Sequence, residues 1–309
     1  MKAVNIKSFG GSDVLQVQEM PRPEPKPEEV LIEVYAASVN PADCKMREGA
    51  YPVSSDFSFP CSIGRDFSGV VAKCGTKVDN IKIGDAIFGV LPRGVEGTYQ
   101  EYLTIDQNLV VTKPENLSHV EAAALALTGL TSLVSIEESL KLKSNERILI
   151  HGGAGGVGSF AVQLARHIGS EVITTASQVN HEYLLDLGAH QVIDYNKDDF
   201  TKILKNIDVV FDLIGGDVHT RSWKILKPNG KIAYIAPLSN KSNSPPSGIQ
   251  AMRPDVQRDK KYLLKILSLF EIGAVRAPQI ETYPFALVKK AHDLVDTQHV
   301  RGKIVLKIK

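Results

Sequence analysis

The sequence predicts an α/β protein in which a β-rich domain is joined to a doubly wound parallel-sheet domain. Three observations carry that prediction. The first third holds short β-type runs separated by Pro and Gly. From Arg147 to Ala236, apolar strand runs alternate with amphipathic stretches, the pattern of a parallel sheet with crossover helices. The chain has 309 residues, and at roughly 150 residues per domain this suits two domains.

Composition narrows the class further. With 43% hydrophobic and 23% charged residues there is material for a core, which excludes collagen, coiled coil and wholesale disorder. Lys plus Arg is 36 against 35 for Asp plus Glu, a net charge of +1, so nothing electrostatic favours nucleic acid or an anionic membrane. Met1 to Val4 leads straight into patterned sequence, and no run of about 18 apolar residues is found anywhere, so neither a signal peptide nor a membrane span is expected. Cys44, Cys61 and Cys74 form no CxxC pair, and so few cysteines suit a reducing compartment, the cytoplasm.

The elements follow in chain order. Lys2 to Ile6 and Val30 to Ala36 read as strands either side of the Pro-rich stretch Pro21 to Pro27. Gly69 to Ala72, Ala86 to Val90 and Glu101 to Ile105 read as further short strands. Ser118 precedes a capping-type Glu121, and the Ala-rich run Ala122 to Leu127 favours helix, so a domain boundary is placed near residue 122. Arg147 to His151, Glu171 to Ala176, Gln191 to Asp194, Asp208 to Ile214 and Gly230 to Ala236 are almost continuously apolar, as strands covered on both faces are. Between the first two, Val157, Ala161, Val162, Leu164, Ala165 and Ile168 share one helical face. Asn240 to Gly248 reads as a loop or flap, Lys260 to Ile272 and Phe285 to Leu294 as helices, and Lys303 to Ile308 as a closing strand.

Directly after the strand Arg147 to His151 comes Gly152-Gly153-Ala154-Gly155-Gly156-Val157-Gly158, a GxGxxG at 153, 155 and 158 that opens a helix. A dinucleotide pyrophosphate needs exposed backbone N–H groups and the positive end of a helix dipole, with no side chain in the way. Glycine meets that demand, and the strand-loop-helix setting makes this a Rossmann cofactor loop. An NAD-binding unit would place an acidic residue after the second strand, for the ribose 2′-hydroxyl. No Asp or Glu occurs from Val172 to His181. Ser177 and Asn180 offer small polar groups for a 2′-phosphate instead, with Tyr195 beyond the third strand, so NADPH is the expected cofactor.

The chain resembles the medium-chain dehydrogenase/reductase superfamily, in particular its zinc-independent quinone oxidoreductase group, which includes ζ-crystallin. The resemblance rests on Ala37-Ser38-Val39-Asn40-Pro41-Ala42-Asp43, on Gly64-Arg65-Asp66-Phe67-Ser68-Gly69 with Gly75 and Val78, and on Gly84-Asp85. It continues through Gly97-Thr98-Tyr99-Gln100-Glu101-Tyr102, Gly129-Leu130-Thr131, the glycine loop, Val192-Ile193-Asp194-Tyr195 and Gly302-Lys303-Ile304-Val305-Leu306. It implies a GroES-like catalytic domain of residues 1–122 and 265–309 around a Rossmann NADP-binding domain of residues 123–264. Zinc-bearing relatives hold the metal with a Cys and a His in the first domain and a third ligand at the start of the second. The matching positions here are Asn40, Arg65 and about Ala124, none of them suited to Zn²⁺. No metal is expected.

Without a Lewis acid, simple alcohol oxidation gives way to acceptors that need less activation, quinones or enones and 2-alkenals. The resemblance places Asn40 beside the nicotinamide, where its amide either donates to a developing oxyanion or caps the Val-Asn-Pro turn. Tyr51 is similar to a cofactor- or substrate-facing tyrosine of the family, and Lys45 stands where some relatives have another tyrosine. Thr128 and Thr131 either bond the nicotinamide amide or bond back into their helix. Gly215 and Lys303 complete the cofactor set. Asp43 with Arg65 and Asp66 reads as a structural ion pair, and His151 as a strand-end residue. The expected partner is a small quinone or enone, with no nucleic acid and no membrane, and the family's habit of pairing near Gly230 to Ala236 makes a homodimer the expectation. A cofactor-binding protein with little turnover is the other class that fits.

Overall fold

A computed structural model describes residues 1–51, 58–238 and 244–309, and its Cα atoms divide into two compact units. One comprises Met1–Leu127, Arg258–Ser268 and Ala277–Lys309; the other comprises Thr128–Gln257 and Leu269–Arg276.

The first unit opens with β1 (Lys2–Ile6), β2 (Gln16–Glu19) and the long β3 (Glu29–Val39), then α1 (Pro41–Arg47) and β4 (Cys61–Ser62). β5 (Asp66–Cys74), β6 (Ala86–Val90), β7 (Tyr102–Asp106) and β8 (Val110–Thr112) follow. The strand foreseen over Gly69 to Ala72 is thus the middle of a longer one. β3 is buried almost end to end, because it is paired on both sides. β5 lies along one edge, while the other edge is shared between β7, opposite Glu29 to Glu33, and a C-terminal strand, opposite Ala36 to Val39.

α2 (His119–Leu133) begins with the expected capping pair, Ser118 and Glu121 exchanging hydrogen bonds of 2.6 to 3.2 Å, and continues as a π-helix over Val134–Leu140. His119–Leu140 is 22 residues long and apolar enough to cross a membrane by length and composition, which corrects the expectation that no such run exists. Its most apolar window is 83% buried within the protein, the environment of a core helix.

The second unit continues with β9 (Arg147–His151), α3 (Gly156–Ile168), β10 (Glu171–Ala176), α4 (His181–Asp186), β11 (Gln191–Asp194) and α5 (Phe200–Ile203). β12 (Ile207–Asp212), α6 (Gly216–Ser222), β13 (Leu226–Tyr234) and β14 (Gln250–Met252) complete its sheet. The six strands are all parallel, in the order β11-β10-β9-β12-β13-β14. Numbered within the sheet this is 3-2-1-4-5-6, the doubly wound order whose direction reverses beside the first strand. Leu149, Ile173, Ile193, Val210 and Ile232, one from each of the five longer strands, meet in its core. The edge is β14, which pairs with Lys231 to Ala233, so the region around Gly230 to Ala236 is one strand in from the edge. Of the loop foreseen over Asn240 to Gly248, residues 240–243 lie outside the described residues; the rest carries no helix or strand.

α7 (Lys260–Glu271), β15 (Ile280–Pro284), α8 (Val288–Asp296) and β16 (Lys303–Lys307) close the chain. The helix expected from Phe285 starts with a 3₁₀ turn over Phe285–Leu287 before the α-helix begins. β15 and β16 return to the β-rich unit, where β16 pairs antiparallel with β3.

Candidate active site

In the parallel-sheet unit the glycine loop sits where the strand order reverses, at the C-terminal end of β9. Each glycine answers a different constraint. Gly152 has φ +77°, in the left-handed region where a side chain is strained. A Cβ at Gly153 would overlap the Thr174 hydroxyl, and one at Gly158 would overlap the Gly152 carbonyl oxygen, so these two let strand, loop and helix close up. Gly155 is different. A Cβ there meets no protein atom nearer than the Gly152 carbonyl oxygen at 3.7 Å, so the protein's own packing does not require glycine. Gly155 is also the N-cap of α3, with no side-chain capping bond. Gly155, Gly156 and Val157 are partly exposed. The loop therefore presents backbone and a helix N-terminus at Gly155, a glycine that internal packing leaves unexplained, which is what a pyrophosphate requires.

The neighbouring positions are organised around that loop. Ser132 Oγ lies 2.8 Å from the Thr128 carbonyl oxygen and 3.0 Å from that of Val157, tying this turn of α2 to the start of α3. Thr128 and Thr131 sit on the same turns and are buried. Ser177 follows β10, and its hydroxyl accepts a 3.1 Å hydrogen bond from Asn180 Nδ2. Tyr195, just past β11, is 51% exposed. Gly215 N-caps α6 at φ +74°, and a Cβ there would overlap the Pro237 carbonyl oxygen. His151 is buried against Thr175 and Ser222, at 3.2 and 2.9 Å, and burial pulls its pKa down to about 4. It is a strand-end residue with both ring nitrogens engaged.

In the β-rich unit the conspicuous feature is a buried charge network built where β3 meets α1. Asn40, between them, has its backbone N–H bonded to the Asp43 carboxylate at 2.8 Å, as the cap of α1. Its side-chain amide is fully used. Nδ2 donates to Asp43 and to Asp66, both at 3.1 Å, and Oδ1 accepts from Lys303 Nζ at 2.8 Å. The expectation that this amide donates to an oxyanion is therefore corrected: Asn40 is a cap and a spacer between charges. Lys303 is also corrected. It is buried, with its ammonium bonded to the Val39 carbonyl oxygen and to Asn40 rather than turned outward to a cofactor. Asp66, buried completely, takes the Ser38 hydroxyl at 2.8 Å, and burial raises its pKa despite Lys303 nearby.

Arg65 does not pair with its neighbour Asp66. Its Nε lies 2.7 Å from Glu96 and 3.4 Å from Asp43, with the three side chains 5%, 2% and 0% exposed. Its guanidinium stacks over the Tyr51 ring at 4.2 Å, and the Tyr99 hydroxyl donates to Asp43 at 3.0 Å. Burial pushes the Glu96 carboxyl up to about 8. Ala124, the third position matched to a zinc ligand, is buried against Ala36, Ala123 and Val305. Glu96 and Arg258 belong to this network and carry no sequence signal, because neither sits in a motif.

Comparison with known proteins agrees with both halves. Residues 26–115 match the alcohol dehydrogenase GroES-like domain, and residues 187–306 match a model described as zinc-binding dehydrogenase. The chain is 34% identical to the NADPH-dependent alkenal/one oxidoreductase of Arabidopsis thaliana chloroplasts, over 99% of this chain and 79% of that protein. It superposes on the quinone oxidoreductase of Coxiella burnetii with TM-score 0.94 and 35% identity, covering 100% and 99% of the two chains. The Escherichia coli quinone oxidoreductase, solved with NADPH, gives TM-score 0.91 and 27% identity over the whole of both chains. A GroES-like unit with a Rossmann unit defines a medium-chain dehydrogenase/reductase. Within that superfamily the chain belongs to the quinone oxidoreductase family, and it is an oxidoreductase.

Proposed function

We propose that this enzyme is an NADPH-dependent quinone oxidoreductase that works without a metal. The observation that carries the reading is Gly155, where a Cβ would meet no protein atom nearer than 3.7 Å, so that the missing side chain leaves room for a ligand at the N-cap of α3. Bound NADPH supplies a hydride from nicotinamide C4. The loop Gly152, Gly153, Gly155, Gly156, Val157 and Gly158 would hold the pyrophosphate, and Ser177, Asn180 and Tyr195 the 2′-phosphate end. Thr128 and Thr131 would hold the nicotinamide amide, and Gly215 gives the β12–α6 turn its close approach. In the β-rich unit Tyr51 faces the acceptor, while Asn40 and Lys303 hold the charges beneath it in place.

Metal independence is supported by what occupies the family's ligand positions. A divalent cation beside Arg65 would meet a fixed positive charge, Asn40 has no free donor atom for it, and Ala124 has none at all. Zinc prefers thiolate, imidazole or carboxylate in a tetrahedral set. Among the described residues no group of three or more His, Cys, Asp or Glu is arranged to hold an ion.

Reduction of an enone or 2-alkenal double bond is the second reading, favoured by the likeness to the Arabidopsis alkenal/one enzyme. Parallel assays of NADPH and NADH oxidation with quinones and straight-chain enones rank the two. Faster turnover of quinones with NADPH is the expected result, and faster turnover of enones would transfer the assignment to the second reading. Tight NADPH binding with no turnover on any acceptor would support a binding role instead. A small soluble acceptor, a cytoplasmic location and a homodimer complete the proposal.

A further inference from the structure

Among the described residues, the charge network of the β-rich unit contains buried guanidinium N–H groups that no neighbour hydrogen-bonds. Arg65 is matched by Asp43 and Glu96, and Lys303 lies in the field of Asp66. Arg258 lies in the same field, acting electrostatically on Arg65, Tyr51, Asp66 and Glu96. Yet Arg258 Nε and Nη1 are fully buried and have no hydrogen-bond partner among the described residues, and the same holds for Arg65 Nη2. Arg65 is only 4% exposed. Leaving buried guanidinium N–H groups unpaired costs more than leaving neutral ones so, because the full desolvation of a charge goes unrecovered. Burial first, then repulsion from Arg65, pulls Arg258 down to about 10.

We propose that Arg258, with the free edge of Arg65, binds a carboxylate on the acceptor, so that the preferred substrate is an anionic quinone or enone. This inference rests on the reductase reading and adds the substrate's charge class to it. Guanidinium is the side chain best matched to a carboxylate, offering charge-assisted donors in a fixed plane. Tyr51, stacked on Arg65, gives the apolar part of such an acceptor an aromatic surface. The positive charge selects among acceptors before hydride transfer, which makes Arg258 a specificity residue.

The test compares benzalacetone para-carboxylate with its methyl ester, alike in the reacting enone and different in charge. In the wild-type enzyme kcat/KM for the carboxylate should exceed that for the ester by about tenfold or more, the range for a charge-assisted hydrogen bond. Arg258→Met should bring the ratio close to one, and Arg258→Lys should keep part of it. Calorimetric binding of the saturated product, benzylacetone para-carboxylate, should weaken by the same factor in Arg258→Met. A wild-type ratio at or below one overturns the proposal, with or without a foldable variant. Equal loss on carboxylate and ester would assign Arg258 to the oxygen that becomes charged in the reaction, and a loss confined to NADPH affinity would assign it to the cofactor's phosphates; either overturns the proposal. If neither enone is reduced, the enone reading fails separately while the quinone reading stands, and the binding measurement still decides the carboxylate.

Discussion

At the scale of single residues, the glycine loop separates ligand demands from folding demands. Gly158→Ala forces a methyl group into the Gly152 carbonyl oxygen, so it should destabilise the protein by roughly 1–3 kcal/mol, the usual cost of overpacking. Gly155→Val should lower the melting temperature only by the cost of losing a glycine at the N-cap of α3, since a Cβ meets nothing closer than 3.7 Å. It should weaken NADPH binding by about a hundredfold or more, by putting a branched side chain where the pyrophosphate approaches. Thermal melts and fluorescence titration check the pair, and unchanged affinity in Gly155→Val would contradict the assignment of the loop. The loop was legible in the sequence because its constraint is local, seven residues between one strand and one helix. The role of Asn40 was not. Its turn was visible, but its partners Asp66 and Lys303 are 26 and 263 residues away, and it takes the pairing of β3 with both β5 and β16 to bring them together. Arg258 had no local pattern at all.

At the scale of elements, β9, β10 and β11 were readable to the residue because strands covered on both faces are almost continuously apolar, and each of these begins at a polar residue. Short or edge elements were not. β14 is three residues of mixed character, held in place by β13 rather than by its own pattern. Packing also fixes how the elements respond to pH. His151 on β9 and His119 on α2 are pulled down to about 4, and His292 on α8 to about 3, all chiefly by burial. Unfolded, each takes up a proton near pH 6.5, so in the window from about 6.5 to 4 the unfolded chain binds more protons and stability falls as pH falls. Glu96 and Asp66 act in the opposite sense, since burial raises both. Two groups against three leave the histidine sign in place, at about 1.4 kcal/mol per pH unit for each net proton. Above neutrality Glu96 adds its own loss as it ionises near 8. Urea midpoints should therefore be highest near pH 7 and lower at both pH 5 and pH 9. A midpoint at pH 5 equal to or above that at pH 7 would contradict the burial of these histidines.

At the scale of the whole molecule, each unit brings a different part of the chemistry. The parallel-sheet unit presents the glycine loop proposed for the cofactor at its topological switch point, and the β-rich unit presents Tyr51 stacked on Arg65 in a network of buried charges. The two-domain plan was readable from the change in texture near residue 122, but the return of the chain to the first unit through β15 and β16 came from the family resemblance. A homodimer would use the open edge at β14. Light scattering at micromolar concentration should give twice the monomer mass, and a monomer mass would remove that part of the proposal. The central claim is hydride transfer from NADPH without a metal, and its most direct test is steady-state NADPH oxidation with a quinone after exhaustive treatment with a chelator. Undiminished turnover, faster with NADPH than with NADH, is the predicted result. Activity lost to the chelator and restored by zinc would contradict it.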